Sequence, residues 1–312
     1  MANNGHGAET EPTLRIAMTG ASGFLGTALR AALGPRHHVV PLVRRSPGPG
    51  ERRWDPASGQ LGPEILSDID VVIHLAGESI AGGRWSGSRQ AAIRRSRVTG
   101  TETIAAGIER AHPRPRLLIS ASAIGYYGDR GEATIDESNG AGTGFLPEVA
   151  VAWERATDPL IPLGVRVVTA RSGMVLSPRG GALAAMLTPF RLGLGARFGS
   201  GRQWMSWIAL DDWVAALDHL IGSDLAGPVN LVAPNPVTNE EFTRVLGRVV
   251  NRPALLAVPS PVLRLLFGGF ADEGLLASTR VAPSRLLGDR FRFQFPELEG
   301  ALRHLLATGA TT

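Results

Sequence analysis

A chain of 312 residues, 44% hydrophobic and 19% charged, has the balance of a globular protein that buries a sizeable core. It has no cysteine, which excludes structural disulfides, thiolate chemistry and Cys-ligated metals. The net charge of +4 comes from 32 arginines without a single lysine, and acidic residues are interspersed with them outside a short arginine-rich stretch at 84–97. So diffuse a surplus is a compositional bias and a poor footprint for nucleic acid.

Residues 1–13 are polar and read as a disordered tail without an apolar leader segment. No run of 18 apolar residues follows, so a cytoplasmic protein with no membrane span is expected. LRIAMTG (14–20) is a short apolar strand ending in glycine, FLGTALRAAL (24–33) a helix, and HHVVPLVRR (37–45) a β-branched strand. Strand, glycine turn, helix and strand within about thirty residues make a βαβ unit, which crosses over right-handed into a parallel sheet.

The alternation continues with a strand at 70–77 and a helix at 88–110 that carries Ile93, Val98, Ile104 and Ile108 on one face. A strand at 115–123, a helix at 145–158 and a strand at 164–173 follow. Near-continuous apolar runs of this kind belong to parallel strands buried on both faces. The expected fold is α/β, a Rossmann-type, doubly wound parallel sheet of six strands, five of them in a domain over 14–175. A smaller substrate-side lobe is expected over 176–312. Within it lie a helix at 211–222 with Asp211 as N-cap, a strand at 227–234 that returns to the sheet, and a helix at 238–250 opened by a Thr238–Glu241 capping box. An amphipathic segment at 259–270 follows.

The chemistry begins at Gly20-Ala21-Ser22-Gly23-Phe24-Leu25-Gly26. The first glycine permits the tight turn, the second lets backbone approach a pyrophosphate, and the third allows helix to pack closely on strand. The helix N-terminus then offers free N–H groups to the phosphates. The second strand ends in Arg44-Arg45, with no carboxylate to accept from ribose hydroxyls. A guanidinium fork suits a 2′-phosphate, so the expected cofactor is NADP(H). The crevice should also be lined by His74-Leu75-Ala76-Gly77-Glu78, Ser120-Ala121 and Arg171-Ser172 at other strand ends. His74 reads equally as a core histidine.

TGASGFLG, VIHLAGE, SASAIGYYGD, RSGMVLS and RFGSGRQWMSWIALDD together resemble the extended short-chain dehydrogenase/reductase superfamily. The chain is most similar to its atypical branch, the epimerase-family or nucleoside-diphosphate-sugar-epimerase-like proteins, which carry a C-terminal extension like that at about 252–306 here. The resemblance implies chemistry built on Ser, Tyr-x-x-x-Lys and an upstream Asn. Ser122 matches the serine, whereas Leu146 and Ala150 stand where Tyr and Lys belong and Arg97 stands at the Asn position. Leucine and alanine transfer no protons, so the usual relay is lost.

Substitutes for it are Tyr126, Tyr127, Glu78 and Arg97 beside Ser122. Each has a plainer reading: packing for the tyrosines, an internal ion pair between Arg97 and Glu78, and a strand-end backbone bond for Ser122. Arg191, Gln203, Trp204, Ser206 and Trp207 are expected either at a substrate crevice or in lobe packing. Trp85, Trp153 and Trp213 read as core, and the histidines show no metal-ligand spacing. Two functions remain open. One is an NADP(H)-dependent oxidoreductase or epimerase acting on a small polar or sugar-type substrate. The other is a non-catalytic NADP(H)-binding sensor or regulatory protein.

Overall fold

The computed structural model describes residues 12–308 except 60 and 82, so most of the expected tail lies outside the described residues. The first βαβ unit consists of β1 (Arg15–Thr19), α1 (Phe24–Leu33) and β2 (His38–Val43). After it come β3 (Arg52–Arg53), β4 (Val71–His74), α2 (Gly87–Arg110), β5 (Leu117–Ala123), α3 (Phe145–Arg155) and β6 (Arg166–Ser172). Beyond these lie α4 (Gly181–Arg191), α5 (Leu210–Gly222), β7 (Gly227–Leu231), α6 (Asn239–Val249), α7 (Ser260–Phe267), α8 (Ser284–Gly288) and α9 (Leu298–Thr308).

The sheet has seven strands rather than six, in the order β7-β6-β5-β4-β1-β2-β3, every pair parallel. The extra strand, β3, is a two-residue edge with too little apolar periodicity to read in advance. The order reverses between β1 and β4, which opens a crevice above their carboxyl ends. Side chains alternate across the sheet. Ile16, Met18, Ile73, Ile119 and Val168 pack with Leu29 and Leu33 of α1 and Leu217 and Leu220 of α5. Ala17, Val72, Leu118 and Val167 face Ile104 and Ile108 of α2.

Helix α5 thus belongs to the sheet's own layers and not to the lobe expected to hold it. It starts at Leu210 with Ala209 as N-cap, so Asp211 sits in the first turn and is not the cap. Its neighbour Asp212 is fully buried and accepts from the backbone N–H groups of Gln294 (2.7 Å) and Phe295 (2.9 Å). At the start of α6 the Thr238 hydroxyl accepts from Glu241 N at 3.2 Å, as the capping pattern requires. The lobe core gathers Leu183 and Phe190 of α4, Trp207, Phe242 and Leu246 of α6, and Leu302 of α9.

Lobe and sheet are stitched together along the β7 edge. Arg130 N donates to Ser278 O (2.8 Å) and the Ser278 hydroxyl to Gly131 O (2.6 Å). Ala282 N donates to Ile135 O (2.8 Å), and Arg280–Val281 pairs in parallel with Thr134–Ile135. The Glu137 carboxylate accepts the outward N–H of Asn230 on edge strand β7 (2.9 Å).

Two glycines decide the turn from β1 into α1. Gly20 has φ +68°, a conformation side chains rarely adopt. A Cβ on Gly26 would lie 2.1 Å from Gly20 O and 2.8 Å from the Ala21 Cα, both of them backbone. Gly26→Ala therefore has to push α1 off the sheet. The expected cost is several kcal/mol, about 3 or more, at the overpacked end of core substitutions. Urea unfolding checks this, and an unchanged midpoint would contradict it.

Candidate functional site

A cavity of about 1050 Å³ opens over the β1–β4 switch point. Its floor is Gly20, Ala21, Ser22 and Gly23 at the start of α1, and one wall is Leu75-Ala76-Gly77-Glu78 after β4. The far wall is Pro41 to Arg45 of β2 and the turn after it, with Glu51, Trp54, Pro56 and Ala57. Helix α2 closes the cavity with Ala92, Arg95, Ser96 and Thr99, and Arg30 of α1 joins the basic end. Of the fingerprint, Phe24 and Leu25 pack against the core beneath, and Gly26 is buried.

Arg44 and Arg45 are exposed at the mouth. Arg45 Nη2 donates to Glu51 Oε1 (2.7 Å), and Gly48 N donates to Glu51 Oε2 (2.8 Å). The Arg45 hydrogen bond, then that of Gly48, holds the Glu51 carboxyl below its ordinary pKa. Arg95 and Trp54 come from elements far from the glycine turn, whereas Arg30 lies on α1 itself; no motif around any of them marks it as a site residue.

His74 lies behind the cavity wall, fully buried. The Thr19 hydroxyl accepts from Leu75 N (3.1 Å) and Ala76 N (3.2 Å), which leaves its proton for His74 Nδ1 at 2.7 Å. The remaining ring proton is then on Nε2, buried without a hydrogen-bond partner among the described residues. Burial pushes the His74 pKa down to about 4.

Past Gly77, toward β5 and β6, the candidate catalytic residues converge. Ser122 and Arg171 are register partners on β5 and β6, and both are buried. Glu154 of α3 sits between them. The Ser122 hydroxyl donates to Glu154 Oε1 (2.6 Å), and Arg171 donates Nε to Oε1 (2.8 Å) and Nη2 to Oε2 (2.7 Å). Against burial, which lowers it, the Glu154 hydrogen bonds raise the Arg171 pKa above its ordinary value.

Arg171 Nη1 donates to the Tyr127 hydroxyl (3.0 Å), which donates to Asn230 Oδ1 (2.8 Å). Burial raises the Tyr127 pKa, with Arg171 acting in the opposite sense. Tyr126 lies over Arg171, its ring centroid 3.5 Å from Cζ. Arg97 donates to the Glu78 backbone carbonyl (2.9 Å), while the Glu78 carboxylate pairs with Arg89 (3.0 Å). The ion pair read from the sequence therefore joins different partners. Leu146 packs with Trp85, Ile93 and Phe270, and Ala150 is buried. Ser120 is buried, and Ala121 is half-buried beside it. The Ser172 hydroxyl accepts from Trp213 Nε1 (2.9 Å).

Among the described residues, none of the five residues considered for substrate hydrogen-bonds into this cluster. Arg191 is exposed at the end of α4. Trp207 is fully buried in the lobe core, and its Nε1 donates to Asn235 O (3.1 Å). Gln203 is buried and donates to Phe198 O and Leu275 O. Ser206 is buried, donates to Thr279 O and accepts from Val281 N. Trp204 is half-buried, donates to Glu132 Oε2 (2.8 Å) and carries Arg280 over its ring. Gln203, Ser206 and Trp207 thus follow the lobe-packing alternative, because short bridges fold this polar, aromatic segment inward.

The family model for NAD dependent epimerases and dehydratases matches residues 16–232, spanning the whole sheet and the crevice above it. The chain belongs to that family. A domain of unknown function, DUF1731, matches residues 258–305, the C-terminal extension. An epimerase family protein of Mycobacterium bovis, Mb2239, is 50% identical over 283 residues, 90% of this chain and 93% of the relative. The human epimerase family protein SDR39U1 is 37% identical over 298 residues, 94% of this chain and all of the relative. The crystal structure of human SDR39U1 with NADPH superposes with a TM-score of 0.86 at 35% identity, over 94% of this chain and 99% of that one. A UDP-N-acetylglucosamine 4-epimerase of Bacillus cereus, 16% identical with a TM-score of 0.75, shares the fold. Among the described residues of this family member, no helix is long and apolar enough to cross a membrane.

Two predictions follow from the buried groups. Unfolded His74 takes up its proton near its ordinary pKa of 6.5, whereas the folded protein resists until about pH 4. Stability from this site is therefore present above about pH 6.5 and is lost as pH falls toward 4, by on the order of 3 kcal/mol. His74→Asn should flatten the loss of stability over that window, read from denaturant midpoints at a series of pH values. Glu154→Ala leaves Arg171 buried without its counter-charge and should cost about 3–5 kcal/mol in thermal or urea unfolding. A loss under 1 kcal/mol would mean that the pair does not hold the two elements together.

Proposed function

We propose that this chain binds NADP(H) and transfers hydride to or from a small polar or sugar-type substrate, as an oxidoreductase or epimerase without a tyrosine–lysine dyad. The observation that carries the cofactor reading is the cavity itself. Its bare glycine floor opens at a helix N-terminus, and Arg30, Arg44 and Arg45 stand at its far end. The fit is physical: Gly20 and Gly23 leave backbone exposed where a pyrophosphate needs close approach. Three guanidinium groups give a 2′-phosphate more than a ribose hydroxyl can use.

The 2′-phosphate would compete with Glu51 for Arg45, so that carboxylate tunes the preference. The cofactor, when bound, would supply the hydride in its reduced form or accept it in its oxidised form. The chain's part is to hold it, exclude water and provide a proton partner. The Ser122–Glu154 end of the network, with Ser122 buried and Glu154 partly exposed, and the exposed Glu78 are the candidates for that last role.

The non-catalytic sensor reading draws on one observation. The Ser122 proton is committed to Glu154, and the Tyr127 hydroxyl to Asn230 and Arg171. NADPH oxidation against a panel of aldehydes, ketones and nucleotide sugars separates the two. Activity that falls in Ser122→Ala or Glu78→Gln supports the enzyme, and inactivity across the panel supports the sensor.

The cofactor reading is tested by calorimetry with NADPH and NADH. Tight NADPH binding, weaker NADH binding, and roughly a tenfold loss of that preference in Arg45→Ala are expected. Glu51→Gln should strengthen NADPH binding several-fold and leave NADH little changed. Equal affinities in the unaltered protein would overturn the NADP(H) preference.

A further inference from the structure

The cavity over the switch point ends at Gly77 and Glu78. A dinucleotide whose adenosine half fills it continues across the turn after β4, toward β5 and β6. Two guanidinium groups stand on that side, and they differ in one respect. Arg171 is neutralised by the bidentate Glu154 carboxylate and covered by Tyr126. Arg97 has no carboxylate.

Arg97 is fixed in place by one nitrogen. Its Nη1 donates to Glu78 O (2.9 Å) and to Ile93 O (3.3 Å), and its Cζ lies 5.1 Å from the Trp153 ring centroid. The nearest acid, Glu78, gives its carboxylate to Arg89. Nε and Nη2 of Arg97 donate to no protein acceptor among the described residues, and neither is sealed from solvent. The guanidinium also faces the turn through a gap: a Cβ on Gly77 would sit 3.5 Å from Cζ and cover it. Burial holds the Arg97 pKa down to about 10, with Glu78 acting weakly the other way. A largely enclosed cation held by neutral carbonyls is costly to keep unless a ligand completes its shell.

We infer that Arg97 receives the nicotinamide-nucleotide half of the cofactor, with Nε and Nη2 donating across Gly77 to its phosphate and ribose oxygens. The forked edge of a guanidinium is shaped for two such oxygens. The cation reaches this point from α2: on α3 the contact is Trp153, Ala150 stands at the lysine register, and the chain has no lysine. The inference rests on the NADP(H) reading, and its test separates the two.

Calorimetric titrations with NADPH and with adenosine 2′,5′-bisphosphate, which carries the adenosine half and its 2′-phosphate but no nicotinamide, are run on the unaltered protein, Arg97→Ala and Arg97→Lys. Arg97→Ala should weaken NADPH about tenfold or more and leave the bisphosphate within about twofold. Arg97→Lys should recover part of the loss. Retained bisphosphate binding also shows that the variants are folded. If NADPH affinity does not change in Arg97→Ala, or if both ligands weaken together, Arg97 does not hold the nicotinamide half. If the folded, unaltered protein binds neither ligand, the NADP(H) reading fails and this assignment with it.

Discussion

The Thr19 hydroxyl joins the ends of the two strands between which the sheet reverses direction. From the last position of β1 it accepts two backbone N–H groups of the turn after β4 and gives its own proton to the last residue of β4. The crevice wall is therefore pinned from behind by one oxygen whose bonding capacity is fully used. The adjacent Gly20 depends on this arrangement, since its Cα passes so close to Leu75 that a Cβ would sit 2.9 Å from the Leu75 carbonyl carbon. A buried neutral histidine is part of that design: a charged imidazole could not accept the hydroxyl proton.

How much of this was legible depended on the range of the cause. Helix α1 runs over the residues expected of it, because glycine punctuation and apolar periodicity act within a few residues. The Thr238 cap was equally local. Glu154 marked a sequence register without a role, yet it is the carboxylate on which Ser122 and Arg171 converge. Nothing local indicates that α3 will set it between two neighbouring strands. Arg95 and Trp54 escaped for the same reason. Trp207, Gln203 and Ser206 could be read either as crevice or as lobe residues, because polarity and aromaticity also serve a lobe built on short bridges, where side chains must satisfy buried carbonyls.

With arginine as its only strong base, this family member solves electrostatic problems by geometry instead of by titration. A lysine changes its protonation readily when buried, whereas arginine stays charged and must be matched by oriented acceptors. Several of the basic sites show such matching, and Arg97 stands out against them. Arg45 meets Glu51, Arg171 meets Glu154, and Arg166 spans the carbonyls of Leu220, Ile221 and Leu225 at the end of α5. The missing tyrosine–lysine pair belongs to the same pattern. Its place on α3 is apolar, and the positive charge nearby comes from Arg97 of α2 and Arg171 of β6.

The seam along the β7 edge bears on how the lobe can move against the sheet. Residues 130–137 and 278–285 are laced by backbone and side-chain bonds, and the same run of chain meets Asn230, Tyr127 and, through it, Arg171. Swinging the lobe away as a rigid jaw would sever that lacing and take the Ala282 carbonyl from Asn230, the buried amide that holds the Tyr127 hydroxyl. The lobe is therefore seated on the sheet edge by backbone bonds that rigid-body movement would have to break.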